Sequence, residues 1–497
     1  MSRFVRTRAW AIVAAALLVA DTTAAQGYGG PLTMQGVNQQ NNASVASRAF
    51  GGVTFGRGGD VALMFTNPAS LHGIDGIAVS LGGFTRSQDL EQIQQYAPVR
   101  YFPNLSLLLE NRTDGIPDPD PDLIGFTPAD SVQRPFDDIQ PSWAHDRSST
   151  APLHALVAVP FTLGDVVLTA GAGAVRYANL DHYYQNNNVL DPGVLTQRPL
   201  PFPRPTDDNP LAVNWYQSVR SREGSIYGYG ASVAAHFPSL NLTVGLSGMA
   251  LSGSSDDLER QVQRGRLTFF ANEFRADSAA GRMTRTGTSE YSGQEFALST
   301  RLSGRYVSAG FVVRPPTRIT RTFSLAASGD TSGTPISGTV SGEDRIQLPW
   351  RGSVGLLLEP RDDLRVGLEY EIRPYGSATF TDAAGVETSP WESASVFRIG
   401  AEVQLFPWLA IRGGMRTEAE VFVPEGSALV DEPVSYRVFS AGIELSYAAL
   451  RWNVTYEHAN VRYEDVWASA VSRNSDLRHL LSTQISYTLP FGRSSAE

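Results

Sequence analysis

Seven histidines stand at positions 72, 145, 154, 182, 236, 458 and 479 with no ligand-like spacing among them, and the chain has no Gly-x-Ser-x-Gly elbow and no phosphate-binding glycine loop. Cysteine is absent, which removes disulfides, thiolate metal sites and thiol nucleophiles together. A serine or aspartate working with His145, His182 or His479 on outer loops would make a hydrolase at the rim of a barrel, and this is the enzymatic alternative. The expectation is a non-enzyme that holds no cofactor and no metal. The acidic run Asp114-Gly115-Ile116-Pro117-Asp118-Pro119-Asp120-Pro121-Asp122 brings carboxylates close together, but it lacks the glycine and terminal glutamate of a formed calcium loop. It reads as a proline-stiffened solvated loop.

What must position any such residues is set by composition and period. The chain has 497 residues, 18% of them charged and 42% hydrophobic, with 46 Gly and 30 Pro, which excludes a coiled coil and a charged disordered chain. All 40 basic residues are Arg, set against 50 acidic ones, and the net charge of −10 argues against nucleic acid as a partner. At the N-terminus Arg3, Arg6 and Arg8 precede the apolar stretch Ala9 to Ala20, with small residues at Thr23-Ala24-Ala25, which is the layout of a cleaved secretory signal over 1–25. The three arginines and one aspartate it carries leave −12 on the exported remainder.

No later segment is long and apolar enough for a transmembrane helix, but transmembrane strands show only as a period of two. In 364–373, Leu364, Val366, Leu368, Tyr370 and Ile372 alternate strictly with Arg365, Gly367, Glu369, Glu371 and Arg373. The pattern recurs at 397–405, 439–447, 451–457 and 482–489. Fourteen strands are placed near 76–86, 152–160, 165–177, 224–237, 240–252, 292–303, 305–315, 345–358, 363–377, 392–405, 408–418, 433–447, 450–463 and 479–491. Their connections alternate between tight turns and long loops at 87–151, 178–223, 253–291, 316–344, 419–432 and 464–478. The fold class is therefore all-β: a transmembrane antiparallel β-barrel of about 14 strands, with periplasmic turns and outer loops. Soluble sandwiches have shorter strands and no such asymmetry.

The inward set Arg365, Glu369, Glu371, Arg373, Arg398, Glu402, Arg412, Arg416, Glu444, Arg451 and Glu457 is balanced in sign, which favours cross-strand ion pairs bracing the lumen over a selectivity ring. Tyr177, Phe237, Trp350, Tyr375, Trp391, Phe406, Trp408, Tyr463 and Phe491 fall near strand ends, where a headgroup belt is expected.

Residues 26–75 do not alternate. Ala49-Phe50-Gly51-Gly52-Val53, followed by Asp60 to Leu71 with Asn67-Pro68-Ala69 inside it, resembles the hatch of FadL-type outer-membrane transporters, which carries Asn-Pro-Ala just before the first strand. Gln347-Leu348-Pro349-Trp350, Val354-Gly355-Leu356 and Leu368-Glu369-Tyr370 resemble a strand and hairpin of the same family, and 395–402 with 409–414 resembles its next pair. The likeness covers the hatch and most of 345–458; across 87–345 it rests on strand spacing. It implies a signal over 1–25, a lumenal hatch over 26–75 and a barrel over 76–497, located in the bacterial outer membrane. It implies passive uptake of hydrophobic or amphipathic molecules such as long-chain fatty acids or aromatic compounds. The partners would be the lipid bilayer, the hydrophobic ligand and, during biogenesis, the barrel-assembly machinery. The alternative is a FadL-like barrel serving protein secretion or assembly.

The expected site follows from these parts. Phe50, Phe55, Met64 and Phe65 of the hatch are taken to face ligand in the lumen. Leu258, Val262, Phe269, Phe270 and Phe274 give the loop 253–291 more apolar surface than a solvated loop needs, and the resemblance sets an outer groove between it and 316–344. Asn67 and Pro68 in the hatch, with Gly171 and Gly173 in the third strand, are the expected gate, because glycine inside a strand marks a bend or a close approach. The resemblance implies that ligand leaves sideways there.

Overall fold

The computed structural model describes residues 34, 36–38, 42–56, 58–96, 142–191, 205–271, 274–331, 334–389, 391–422, 433–466 and 470–490. The signal over 1–25, the acidic run 114–122 and Phe491 lie outside them. The strands are β1 Gly76–Tyr96, β2 Trp143–Leu163, β3 Val166–Asn179, β4 His182–Asp191, β5 Leu211–Phe237, β6 Leu242–Phe269, β7 Phe274–Ser303, β8 Val307–Arg314, β9 Thr317–Thr331 and β10 Thr334–Leu348. They continue with β11 Arg351–Arg361, β12 Leu364–Ile372, β13 Thr379–Thr381, β14 Glu387–Thr388, β15 Val396–Phe406, β16 Leu409–Ala419, β17 Ser435–Tyr447, β18 Leu450–Val466 and β19 Ala470–Pro490.

Several of these are halves of one stave. The pairs β3/β4, β8/β9 and β10/β11 continue each other, and β13 and β14 prolong β12 and β15 on the outer side, so the wall has fourteen antiparallel staves. The cylinder closes where β1 pairs with β19 from Gly76↔Pro490 to Tyr96↔Ala470. All fourteen expected strands are present.

Alternation decides facing as read. Along β12, Arg365, Gly367, Glu369 and Glu371 are buried in the lumen while Tyr370 and Ile372 are exposed. Outward Val79, Leu81, Val157, Phe311, Val354, Phe397, Ile411, Phe439 and Ile485 form the apolar belt. One end carries tight turns, at Gly164 with a left-handed φ of 61° and at the 3-10 turn Pro238–Leu240.

Two expectations on the outer side are corrected. The long loops are largely strand: β6 and β7 run on as a paired hairpin to Phe269↔Phe274, and β7 pairs with β9 from Gln294↔Arg318 to Gly281↔Thr331. Segments 253–291 and 316–344 thus form one continuous sheet, not two loops flanking a groove. Beyond the membrane both faces of a strand are polar, so the hydropathy signal vanishes while the backbone ladder continues. The aromatic belt is also smaller than expected. Trp350, Phe406 and Trp408 are half exposed at the belt edge, but Tyr177, Tyr375 and Trp391 turn into the lumen and are buried.

Candidate functional site

The hatch enters the lumen through a short helix, α1 Val45–Ala49, whose N-terminus is capped by Ser44 Oγ accepting from the Ser47 backbone N–H. Gly51 and Gly52 then take left-handed φ of 69° and 81°, which only glycine adopts without cost. This turn drives Phe50 against the wall. A Cβ added to Gly400 would stand 2.6 Å from the Phe50 carbonyl carbon, and one at Gly367 would stand 2.8 Å from Phe50 Cζ. Phe55 is received in the same way at Gly310 and Gly355, Ala49 at Gly442, and Met64 at Gly171, where a Cβ would meet Met64 Cε at 2.7 Å.

The Asn-Pro-Ala segment is a fastener. Asn67 Nδ2 donates to the Thr54 carbonyl at 3.2 Å, Pro68 opens the 3-10 turn Pro68–Leu71, and the Ala69 N–H donates to Ser299 Oγ on β7 at 2.7 Å. Polar bonds tie the other side of the hatch: Thr54 N–H to Glu369 at 2.6 Å, Val45 N–H to Gln484 Oε1 at 2.9 Å, and Arg48 to Glu457 at 2.8 Å. The inward ionic set forms the expected cross-strand pairs, among them Arg398–Glu369 at 2.8 Å and Arg412–Glu444 at 2.8 Å.

Phe50, Phe55, Met64, Phe65, Asn67 and Pro68 are therefore gathered in the lumen and buried. The outer set does not join them. Leu258 is exposed on the outer face of β6, while Val262, Phe269, Phe270 and the ladder position Phe274 continue to the far tip of the hairpin.

The third stave carries the main irregularity. Its ladder with β2 is intact from Leu163↔Val166 to His154↔Val175, including Ala158↔Gly171, and Gly173 has a φ of 151°. From Val175 to Leu180 every residue is buried, so both faces of the strand lie inside the barrel. Above His154 the upper half of β2 pairs with β1 and β4 pairs with β5, and among the described residues no ladder joins β2 to β4. Side chains stitch this seam instead: Trp143 Nε1 donates to the Gln185 carbonyl at 3.1 Å, His145 stacks on Tyr183 at 3.8 Å, and Arg147 pairs with Glu223 at 2.9 Å. The wall thus opens above the two glycines rather than at them, because they still sit in a complete ladder.

Three cavities surround α1, of about 140, 100 and 90 Å³. The largest is lined by Phe84, Arg86, Arg176, Asn179, Tyr436 and Arg478 among others. Arg478 is paired with Asp476 and Glu420. Among the described residues Arg86 and Arg176 have no carboxylate within ion-pairing distance; Arg176 bonds Asn179 Oδ1 at 2.8 Å and lies 4.8 Å over the Phe84 ring. Sequence reasoning missed both: Arg86 is the last residue of the expected strand 76–86, and Arg176 sits at the bulge between Arg176 and Ala178 in the ladder of β3 with β5.

Among the described residues His145 and His479 form no Ser-His-Asp triad: His145 stacks on Tyr183. His479 is bonded to Tyr456 Oη at 2.6 Å on the outer face. Ser80 Oγ and His154 Nε2 are 2.8 Å apart, but both are buried in the wall, and among the described residues no carboxylate bonds His154 Nδ1 to orient it.

No family model matches the chain, and no curated protein sequence matches it. Among solved structures it is similar to a Pseudomonas aeruginosa FadL homologue, with a TM-score of 0.56 at 12% identity over 90% of this chain and 98% of that one. It is also similar to the P. putida toluene transporter TodX, with a TM-score of 0.52 at 12% identity over 90% and 98%. The monoaromatic hydrocarbon channel CymD gives 0.51 at 12% identity over 91% and 100%. Fourteen staves, an N-terminal hatch fastened by its Asn-Pro-Ala segment, and a third stave that bends inward together give this chain the fold of the FadL-type barrels.

Proposed function

We propose that the protein sits in the bacterial outer membrane and admits hydrophobic or amphipathic small molecules by diffusion, with the hatch closing the axial path and exit lying sideways through the wall. The observation that carries this is the inward run Val175–Leu180, which parts the third stave from β2. A plugged barrel with a break in its wall lets an oily solute reach lipid without crossing the polar, ion-paired floor of the lumen. The FadL homologue and the toluene and monoaromatic channels of like fold support the class of cargo.

Within that class the reading is an amphiphile with an oxyanion head. Two guanidinium groups with no carboxylate in ion-pairing distance among the described residues, in a cavity whose own carboxylates Glu418 and Glu457 are each engaged by other arginines, are desolvated cations that an incoming carboxylate would satisfy. In proteoliposomes, Arg86→Gln with Arg176→Gln should slow uptake of a long-chain carboxylic acid about tenfold while leaving toluene uptake unchanged. Equal loss for both cargoes would discard the headgroup reading. Cysteines at His145 and Tyr183, whose rings stack at 3.8 Å across the seam above the ladder in a chain with no native cysteine, should block both cargoes when oxidised and recover on reduction. Normal uptake through the cross-linked wall would discard the sideways exit.

A further inference from the structure

The wall folds into the lumen at a second place, outward of the hatch. After Ile372 the chain does not continue straight into β13. The 3-10 turn Tyr375–Ser377 and the return before β15 fold inward as a shoulder, with Tyr375 and Trp391 buried and their rings 5.6 Å apart at 73°. Both rings belong to the apolar cluster that contains Met64 and Phe65 of the hatch and Tyr177 and Leu180 of the inward-bent strand.

The root of this shoulder is Arg373, whose carbonyl accepts the N–H groups of Tyr375 and Ala394. Its guanidinium is the apex of a continuous ionic chain with both ends on the hatch. One limb runs from Arg373 to Glu371 at 2.9 Å, on to Arg398, to Glu369 at 2.8 Å, and ends on Thr54 N–H and Oγ1. The other runs from Arg373 to Glu418 at 3.3 Å, to Arg416 at 2.9 Å, to Glu457, and ends on Arg48 of α1.

We infer that the shoulder and the hatch are one coupled closure, in which parting Tyr375 from Trp391 loosens α1 and the Thr54 anchor through Arg373. Each carboxylate of the chain is shared between two donors, so moving one arginine leaves its acceptors half satisfied in a buried setting where a lone charge is costly. A packed ionic lattice shifts between discrete arrangements rather than deforming smoothly. The coupling must be reciprocal, because it is an equilibrium property. It goes beyond the transport reading and holds whatever the cargo.

Hydrogen exchange on the ligand-free barrel tests this without any uptake assay, so its result stands apart from the fate of the transport reading. Arg373→Gln leaves Glu371 with Arg398 and Glu418 with Arg416, and it should speed exchange in hatch peptides over 44–56 about tenfold, within the usual range of site-to-site coupling. Thr54→Ala should in turn speed exchange over 373–395, and the double variant should fall short of the product of the two effects. Arg345→Gln, which breaks the exposed pair to Glu343 at 2.6 Å, should move neither segment. If Arg373→Gln does not assemble, Glu418→Gln cuts one limb with the same expectation. Unchanged hatch exchange in either variant while 373–395 quickens, or effects that simply multiply, would overturn the coupling.

Discussion

Adding one methyl group to the wall at Gly400 should undock the hatch while the barrel stands. All three atoms nearest to a Cβ there belong to Phe50, and two of them, the carbonyl carbon at 2.6 Å and its oxygen, are backbone that no rotamer can move aside. The hatch must therefore retreat, and overpacking of this kind costs about 1–3 kcal/mol. Gly413, one step along the facing strand, points outward, and its added Cβ would have only the Ser440 carbonyl at 3.8 Å. Gly413→Ala should thus be neutral or slightly stabilising, by about 0.5 kcal/mol, since alanine loses less freedom than glycine in a strand. The readout is tryptic cleavage after Arg48, which is 6% exposed and ion-paired with Glu457 when docked. Where opening is fast relative to cleavage, the rate follows the open population, and about 1–3 kcal/mol converts to roughly a 5- to 150-fold faster cut for Gly400→Ala. Equal rates for the two variants, or a lower barrel melting point with cleavage unchanged, would show that the glycines do not seat the hatch.

Leu368→Arg should destabilise the barrel by about 2–4 kcal/mol in urea-driven unfolding from liposomes, because it sets a charge on the lipid face; Ser328→Arg, on the exposed outer sheet, should cost almost nothing, and equal costs would reverse the facing. Arginine at Gly367 is not a neutral lumenal control, since Phe50 fills that space. On the outer side of β10, burial outweighs the 2.9 Å pair with Arg321 and pushes the Asp344 carboxyl up to about 6. Its folded value lies above the ordinary ~3.9 of the unfolded chain, so its contribution is fully present below about pH 4 and lost as pH rises through 6. Asp344→Asn should flatten the fall in melting temperature between pH 4 and 7, and a wild-type slope retained in the variant would place that titration elsewhere.

Strand number and facing were legible because a lipid face and a lumen face impose opposite demands on neighbouring residues: Tyr370 and Glu371 cannot exchange places. The outer connections were not, because segments such as Thr284 to Ser292 meet water on one side and polar neighbours on the other, and nothing in their hydropathy separates a paired strand from a loop. The hatch motif is legible as a motif, but its partners are not: nothing in the sequence says that Phe50, which lines a lumenal cavity, is also seated against Gly367 and Gly400 in the wall. Gly171 and Gly173 lie in the stave that turns inward, yet the inward run begins two residues on, at Val175, where no glycine marks it. Arg86 and Arg176 escaped notice because an unpaired charge is defined by what is missing around it, which only the folded wall reveals.

The order in which the parts are made also follows from where the seam lies. The cylinder is closed by pairing its first stave to its last, β1 to β19, and the hatch precedes both in the chain. Val45 is bonded to Gln484 on β19 itself, while Phe50, Phe55 and Ala69 are lodged against staves on the opposite side. Within the shut hoop Met64 and Leu71 of the hatch are wholly buried. A hatch lying in the curl of the sheet when β19 arrives would act as the mandrel around which the barrel is rolled, so a variant with an undocking hatch should close more slowly during biogenesis and still stand once closed.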